Sequence, residues 1–537
     1  MPVIQSAIDP GSAEFRRHRE EMLALVDELR ALEDGVRAHG DKARGRITGR
    51  GQLMPRERVD RLLDPGAPFL ELSPLAGWRM HDDDGGNLIS GGGNIMGIGE
   101  VRGVRCLITA NDAAIKGGSI SPMGLKKTLR AQEVALKQRL PVVSLIESGG
   151  ANLLHQSELF IDGGRVFANM ARLSAAGIPQ ITVVHGSSTA GGAYMPGLSD
   201  YVIMVEGQAK VFLAGPPLVQ AALGEQASEA ELGGAQMHAT ISGTAEYVAA
   251  DDAHALQLAR EVVGALGWDP MTSVSGVSRP PAYDPDELCG AVPVDTRQPI
   301  DAREIIARVV DASEYLEFKA GFGTNTLCGH ARIDGRPVGI LANNGPILPQ
   351  GSVKAAQFIQ LCSQAGLPLV FLMNTTGYMV GTAAEQAGAV KHGSKMIQAV
   401  ANATVPKLTV VVGGAYGAGN YGMCGRGFDP DFIFSWPHAK VAVMGGEQAA
   451  MVMKIITRAK FARKGWPIDE DVLEGMTAEI RGTLDRQSSA LFATARVWDD
   501  GIIDPRDTRA VLATALQTCA DGRRRTLNPT HFGVARG

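Results

Sequence analysis

Short apolar runs alternate with helical patterns along most of the chain. Two of these runs, PVVSLI at residues 141–146 and ITVVH at 181–185, have the length of a strand and contain few polar residues. Between them, Val166, Met170 and Leu173 recur at helical spacing and would share one face of a helix. Buried strands that alternate with helices of this length predict βαβ units and a mostly parallel sheet.

The same pattern occurs twice in the chain. LPVVSLIESGG matches LPLVFLMNTTG, and IPQITVVHG matches VPKLTVVVG. Pro141 and Pro368 lie 227 positions apart, and so do Gly186 and Gly413. Because the offset is the same at both ends of this span, we interpret the two halves as a tandem duplication.

Two further patterns predict how the halves are bounded. Residues 12–40 are periodic like a helix, with Ser12 at the position of an N-cap, and form a helical arm. The polar stretch 273–288 contains Pro280, Pro281 and Pro285, which cannot continue a helix or a central strand. We therefore predict an N-terminal domain at 1–272 with the helical arm, a linker at 273–288 and a C-terminal domain at 289–537.

Composition and charge exclude several classes of function. The chain has 537 residues, 66 of them glycine, and a formal net charge of −5, which gives no basis for binding nucleic acid or an acidic membrane surface. Its six cysteines include no C-x-x-C pair, so neither a zinc ribbon nor a disulfide framework is expected, and no metal site is predicted. No apolar run has the length of a membrane span. We expect a cytoplasmic bacterial protein in preference to one of the mitochondrial matrix.

The stretch GSSTAGGAYMPG at residues 186–197 follows the strand-like run ITVVH and has two interpretations. A serine hydrolase presents its nucleophile in a G-x-S-x-G turn, and Ser188 fits that pattern except that Ala190 replaces the last glycine. In the second half Ser188 corresponds to Ala415, whereas Gly191 and Gly192 correspond to the equally small Ala418 and Gly419. The shared feature is a turn of small residues, which would expose backbone amides that bind a developing oxyanion.

Several long motifs resemble the carboxyltransferase (β) subunits of biotin-dependent acyl-CoA carboxylases. They are STAGGAYMPGLSDY, KVFLAGPPLVQAALGE, ELGGAQMH, GAGNYGMCGR and VMGGEQAA. The resemblance covers about residues 8–534. It implies an α/β fold of two tandem crotonase-like domains, each with a ββα superhelix, in a homohexamer. It also implies a partner α subunit with biotin carboxylase and biotin-carrier functions, so that biotin is not attached to this chain.

The resemblance assigns roles to the small-residue turns. Gly191 and Gly192 would hold the thioester enolate of a coenzyme A substrate, and Ala418 and Gly419 would hold the ureido oxygen of biotin. Gly149, Gly150 and Gly377, in the neighbouring turns ESGGAN and NTTGYM, would form a wall of the same site. The second half has Asn374 where the first has Glu147, so Glu147 is not assigned as a general base.

Within this family the motifs favour a branched enoyl-CoA substrate. GAGNYGMCGRGF and VMGGEQAA are closer to the 3-methylcrotonyl-CoA and geranyl-CoA carboxylases than to the propionyl-CoA enzymes. The segment ELFIDGGRVF at 158–167 is short and contains glycines, which resembles the geranyl-CoA enzymes, where a smaller wall would admit a longer acyl chain. We therefore favour geranyl-CoA over 3-methylcrotonyl-CoA. A 3-methylcrotonyl-CoA carboxylase of leucine degradation and a related carboxylase of another chain length remain alternatives.

Other functions and other residues stay open at this point. A serine hydrolase built on Ser188, a non-catalytic scaffold for the biotin subunit and a sodium-pumping decarboxylase subunit would each use a similar chain. His185 could touch substrate or be structural, and Lys116 could meet a coenzyme A phosphate or be a solvated lysine. Lys454, in VMKI, resembles a biotin attachment site, but its neighbours have helical composition and no hairpin.

Overall fold

The computed structural model describes residues 1–83, 90–268 and 276–535. The chain folds into two compact units. The first unit consists of Ala31–Ser273 together with Ala495–Val497 and Gln517–Gly537, and the second of Met1–Arg30, Val274–Thr494 and Trp498–Leu516. Residues 273–275 of the predicted linker lie outside the described residues, and residues 276–284 contain neither helix nor strand.

Helices and strands alternate in both halves. The helices of the first half are α1 (Ala13–His39), α2 (Arg44–Thr48), α3 (Pro55–Leu62), α4 (Pro122–Gln138), α5 (Gln156–Ala175), α6 (Tyr194–Leu198), α7 (Pro216–Leu223), α8 (Glu229–Gly233), α9 (Ala235–Thr240) and α10 (Asp252–Ala265). Its strands are β1 (Leu70–Glu71), β2 (Asn94–Val101), β3 (Val104–Asn111), β4 (Val142–Ser148), β5 (Gln180–Thr189), β6 (Tyr201–Val205), β7 (Lys210–Phe212) and β8 (Tyr247–Ala249).

The second half repeats this order. Its helices are α11 (Leu288–Ala291), α12 (Ala302–Val309), α13 (Pro349–Ala365), α14 (Thr382–Gln386), α15 (Ala389–Asn402), α16 (Gly417–Gly422), α17 (Gly446–Lys464), α18 (Glu470–Gln487), α19 (Ala490–Ala495) and α20 (Thr508–Arg524). Its strands are β9 (Leu316–Glu317), β10 (Thr326–Ile333), β11 (Arg336–Asn343), β12 (Leu369–Thr375), β13 (Lys407–Tyr416), β14 (Phe432–Ser435) and β15 (Lys440–Ala442).

Each half builds one mixed sheet. In the first the order is β1-β2-β3-β4-β5-β6-β8, and in the second it is β14-β13-β12-β11-β10-β9. The first strands of each sheet form antiparallel ladders, whereas β3 to β6 and β11 to β14 pair in parallel. The short strands β7 and β15 add in parallel to the ends of β5 and β13. The predicted parallel βαβ organisation is confirmed.

The duplication is confirmed at the level of single residues. Both β4 and β12 and both β5 and β13 begin and end 227 positions apart, and so do α4 and α13. Even the irregularities repeat: the ladder of β4 with β5 shifts register between Ile146 and Ser148, and that of β12 with β13 shifts between Met373 and Thr375.

Local sequence explains the elements that carry the site. Ser12 begins α1 as predicted, because its hydroxyl accepts a hydrogen bond from the Phe15 amide at 3.1 Å. β4 is buried along its whole length, as expected for a central parallel strand with helices over the sheet. Val166, Met170 and Leu173 are all buried on one face of α5, as their spacing predicted. The central strands β4 and β5 are thereby fixed, and the glycine-containing turns follow directly after their carboxyl ends.

Candidate active site

The first small-residue turn (Ala190–Ala193) directly follows β5. Ala190 has a φ of +53°, in the left-handed region, and begins a short 3₁₀ helix. The Tyr194 amide donates to the carbonyls of Gly191 and Gly192, so these carbonyls point into the helix. Among the residues that the structure describes, no acceptor receives a hydrogen bond from the amide of Gly191 or Gly192.

The second small-residue turn (Gly417–Gly422) is the start of α16 and follows β13 in the same way. Gly417 also has a φ of +53°. Within the described ranges the amides of Ala418 and Gly419 donate to no acceptor. Ala418 is exposed and Gly419 buried, as are Gly191 and Gly192 respectively. Each half of the duplication, from here on called a copy, therefore has a pair of backbone amides that donate to no acceptor among the described residues, and the two pairs lie at equivalent positions. We call these amides bare.

A second turn flanks each of these, at the carboxyl end of the neighbouring strand. The Gly150 amide donates to the Ser148 hydroxyl, and the Gly377 amide donates to the Thr375 hydroxyl, both at 3.1 Å. Gly150 and Gly377 have φ values of +87° and +115°, which only glycine adopts without strain. Gly149 is exposed beside Gly150, and its equivalent in the second copy is Thr376. The two turns in each copy thus lie at the ends of adjacent strands.

Ser188 does not have the geometry of a nucleophile. Its side chain is fully buried, and its hydroxyl donates to the Gly192 carbonyl at 2.9 Å. A nucleophilic serine must expose its Oγ and have a base in hydrogen-bond reach. His185, the nearest histidine in sequence, is instead held by Asp252. The hydroxyl of Ser188 supports the turn, and the serine-hydrolase interpretation has no geometric basis.

Two carboxylates and a histidine near the first turn belong to a buried polar cluster. Arg58, on α3, donates from Nη1 to Glu147 and from Nε to Asp252, both at 3.0 Å. His185 donates from Nδ1 to Asp252 at 2.7 Å. Burial, reinforced by the charge of Arg58, lowers the pKa of His185 and keeps its ring neutral. The sequence pattern gave no signal for Arg58 or Asp252, because they are about 90 and 105 positions from Glu147.

Lys116 and Lys454 each form an ion pair with a carboxylate of this chain. The ammonium of Lys116 pairs with Asp82 beside a cavity that Asn152 and Ser121 also line. Lys454 lies within α17 and pairs with Glu474, so it is not at the tip of a β-hairpin.

A cavity adjoins the second small-residue turn. Ala418, Tyr421, Arg426, Trp498 and Asp499 are among the residues that line it. Burial raises the pKa of Asp499 to about 6. The Gly501 amide donates to Asp499, at 3.1 Å.

The raised pKa of Asp499 predicts a defined effect of pH on stability. The folded protein keeps this proton up to about pH 6, whereas the unfolded chain releases it near pH 4, so the free energy of unfolding falls as pH rises between these values. Asp499→Asn should remove that slope and, above pH 6, stabilise the chain by at most about 3 kcal/mol. Denaturant unfolding of wild type, Asp499→Asn and the exposed control Asp27→Asn at pH 4.5 to 7.5 measures this pH dependence. If the free energy of unfolding changed with pH in the same way in all three proteins, the raised pKa of Asp499 would be contradicted.

Comparison with known proteins identifies the family. Residues 47–534 match the family described as the carboxyl transferase domain. The chain belongs to the carboxyl transferase family. The predicted resemblance to the carboxyltransferase subunits of biotin-dependent acyl-CoA carboxylases is confirmed.

Relatives of this carboxyl transferase align over its whole length. A probable biotin-dependent acyl-coenzyme A carboxylase beta2 subunit of Mycobacterium tuberculosis is 48% identical over 99% of this chain and 100% of its own. A probable mitochondrial methylcrotonoyl-CoA carboxylase beta chain of Drosophila melanogaster is 46% identical over 99% and 95%. The crystal structure of the beta subunit of P. aeruginosa geranyl-CoA carboxylase superposes with a TM-score of 0.94 at 56% identity and covers all of both chains. The predicted fold of two crotonase-like carboxyltransferase domains is therefore confirmed.

Proposed function

We propose that this chain moves a carboxyl group from carboxybiotin to a branched enoyl-CoA, and that geranyl-CoA is preferred to 3-methylcrotonyl-CoA. The observation that carries the proposal is the duplicated pair of bare amides, at Gly191–Gly192 and at Ala418–Gly419. Carboxyl transfer between two carriers develops negative charge on an oxygen of each, and two equivalent oxyanion sites suit such a reaction. The same two oxyanion sites would serve a carboxylase of 3-methylcrotonyl-CoA or of an acyl-CoA of another chain length.

The first small-residue turn is assigned to the acyl thioester. The amides of Gly191 and Gly192 would donate to the thioester oxygen as the substrate loses its γ proton, because the vinylogous enolate delocalises its charge onto that oxygen. Gly149 and Gly150 would form the neighbouring wall. Fixed donors of this kind stabilise the transition state without reorganising, and each contributes about 10²–10³ in rate.

The second small-residue turn is assigned to biotin. The amides of Ala418 and Gly419 would donate to the ureido oxygen, with Gly377 beside them. The cavity at Ala418 provides an apolar lining from Trp498 and Val441 for a bicyclic ring. Carboxybiotin, carried by a partner subunit, supplies both the carboxyl group and the base. No nucleophilic side chain of this chain is therefore required, which agrees with the buried hydroxyl of Ser188.

The acyl chain is assigned to the face of α5 that holds Gly163 and Gly164. A Cβ added at either glycine would meet no atom within 4 Å, so this face leaves open space. The acyl group of geranyl-CoA has five more carbons than that of 3-methylcrotonyl-CoA and needs such space. The 56% identity to a geranyl-CoA carboxylase beta subunit supports the same preference.

Reconstitution tests the proposed function. The chain would be combined with its biotinylated partner subunit, ATP and bicarbonate, and offered propionyl-, 3-methylcrotonyl- and geranyl-CoA separately, with products identified by mass spectrometry. We expect carboxylation of geranyl-CoA with a kcat/KM at least equal to that of 3-methylcrotonyl-CoA. A strong preference for 3-methylcrotonyl-CoA would overturn the acyl-chain assignment and leave the carboxyltransferase intact.

Filling the open face of α5 should reverse the preference. Gly164→Phe places a ring where the longer chain would run, and a helix interior accepts phenylalanine better than glycine. We expect kcat/KM for geranyl-CoA to fall at least about tenfold, because losing one or two methylene contacts in an apolar pocket costs at least this much. The kcat/KM for 3-methylcrotonyl-CoA should stay within about threefold. Gly164→Ala is the matched control. An equal loss for both substrates would place the acyl chain elsewhere.

The remaining assignments complete this proposal. The division into domains at 1–272 and 289–537 follows the duplication. A homohexamer is supported by exposed apolar side chains on α17, such as Met451 and Ile455, and the partner is a biotin carboxylase and biotin-carrier α subunit.

Among the described residues no helix is long and apolar enough to cross a membrane. We place the enzyme in the bacterial cytoplasm, although relatives include a mitochondrial chain.

A further inference from the structure

The first copy contains a buried charge cluster around Glu147, and the second copy has the neutral residues Asn374 and Val412 at the positions equivalent to Glu147 and His185. The members of the cluster are Arg58, Glu147, Asp252 and His185, which are each at most 9% exposed. Arg58 bridges the two carboxylates, and Gln52 donates to Glu147 at 3.4 Å and to the His185 carbonyl at 3.0 Å. Although burial opposes ionisation, the hydrogen bond of His185 and the charge of Arg58 hold the pKa of Asp252 below its ordinary value.

Glu147 lies where the strands of the first copy change register. The ladder between β4 and β5 is regular up to Ile146 and resumes at Ser148, so Glu147 is the residue at the irregularity. Its side chain packs directly on Gly186 in β5, where an added Cβ would be 2.7 Å from the Glu147 carboxyl carbon. One residue therefore contacts both strands that end in the turns of the proposed acyl site.

The cluster ties these two strand ends to helices behind the sheet. Gln52 joins Glu147 on β4 to the backbone of His185 on β5. Arg58 on α3 holds the carboxylate from outside the sheet, and Asp252 on α10 holds Arg58. A displacement of Glu147 would therefore shift Ser148 and Gly150 on one side and the segment from Gly186 to the first small-residue turn on the other.

The second copy solves the same problem without charge. Asn374 occupies the position of Glu147, and its Oδ1 accepts a hydrogen bond from the Gly414 amide at 2.9 Å. It packs on Gly413 as Glu147 packs on Gly186. Val412 replaces His185. A neutral hydrogen bond is thus enough to hold the strand ends together. Because burying ions costs desolvation free energy, a contribution to stability alone does not account for the ion cluster of the first copy.

We propose that Glu147 is a positioning residue for the first small-residue turn, and that Arg58 and Gln52 act on that turn by fixing the Glu147 carboxylate. The inference rests on the proposed function, which assigns this turn to the acyl thioester. The ion cluster holds the strand ends more rigidly than one neutral hydrogen bond, because the Glu147 carboxylate accepts bonds from both Arg58 and Gln52 and bonds to an ionised group are stronger. A displacement of about 1 Å at a reacting centre costs about 10²-fold in rate, so rigidity here has a kinetic effect.

Reverse transfer, from a carboxylated enoyl-CoA to free biotin, provides a readout that needs no partner subunit. In Glu147→Gln the shape is kept and the charge removed, and we expect kcat to fall about 10- to 100-fold. The KM for biotin should stay within twofold, because the second copy is unaltered. Glu147→Asp, which restores the charge on a shorter side chain, should recover part of the lost rate.

A matched control separates positioning from stability. Arg105 is buried in the same unit and pairs with Asp521 and Glu100, but it lies at the opposite end of its strand from the turns. Arg105→Met should lower the melting temperature about as much as Glu147→Gln and leave kcat within twofold of wild type.

The outcomes are distinguishable. If wild type catalyses biotin-dependent transfer and Glu147→Gln matches it in kcat, or if Arg105→Met loses as much kcat as Glu147→Gln, the positioning role is wrong. If Glu147→Gln raises the KM for biotin instead, Glu147 acts on the other copy and the inference also fails. If wild type itself shows no biotin-dependent transfer, the proposed function fails.

Discussion

Ala418→Pro should lower the rate of carboxyl transfer by about 10²–10³ while the protein stays folded. Proline removes the amide hydrogen of residue 418, which donates to no acceptor among the described residues and which we assign to the ureido oxygen of biotin. The position tolerates proline because it lies in the first turn of α16. Gly417, which precedes it in the left-handed region, has no Cβ for the proline ring to meet. Steady-state transfer kinetics and the melting temperature would both be measured.

Glu470→Pro is the matched control for this substitution. Glu470 is the first residue of α18, and Asp469 before it is extended and caps the amides of residues 471 and 472. Proline there removes only an exposed ion pair with Arg458, which contributes little. We expect wild-type rates. A rate for Ala418→Pro within threefold of this control would mean that the Ala418 amide does not contact the reacting group.

Gly419→Ala should reduce transfer by about 10²-fold, whereas the equivalent Gly192→Ala should be far milder. A Cβ on Gly419 would lie 2.8 Å from the Gly377 Cα and 2.9 Å from the Thr375 side chain, so the two turns of the second copy must move apart. Overpacking of this kind costs about 1–3 kcal/mol and displaces the amides. On Gly192 the nearest atom is the Ser188 Oγ at 3.4 Å, an ordinary contact.

The pair of alanine variants is informative because Gly192 and Gly419 occupy equivalent positions of the two copies but differ in the space around them. Each variant would be assayed for kcat and for KM of both substrates, together with its melting temperature. Equal losses in the two variants, or a larger loss in Gly192→Ala, would show that the close approach of Gly377 to Gly419 does not set the geometry of the second turn.

Much of this site was predictable from local sequence. The strands β4, β5, β12 and β13 are apolar runs, and the constant offset of 227 positions brought out Gly191–Gly192 and Ala418–Gly419 as equivalents. The comparison of Ser188 with Ala415 also favoured amides over a nucleophile, and the buried hydroxyl of Ser188 agrees with that.

The parts that sequence did not reveal depend on long-range packing. Arg58 meets Glu147 and Asp252 only because α3 and α10 pack behind the sheet, and nothing in the local sequence patterns marks this. Similarly, Met1–Arg30 groups with the second unit and Gln517–Gly537 with the first. Periodicity shows that a helix such as α1 has an apolar face, but it does not show which surface covers that face.

The central claim is that this chain by itself holds both carriers at two backbone oxyanion sites. The most direct measurement offers the purified chain a carboxylated enoyl-CoA and free biotin, without partner subunit or ATP, and follows loss of the carboxyl group by mass spectrometry. The account predicts loss that requires biotin, saturates in both substrates and is reduced by about 10²–10³ in Ala418→Pro. Loss that proceeds equally without biotin, or no loss when both are present, would contradict it.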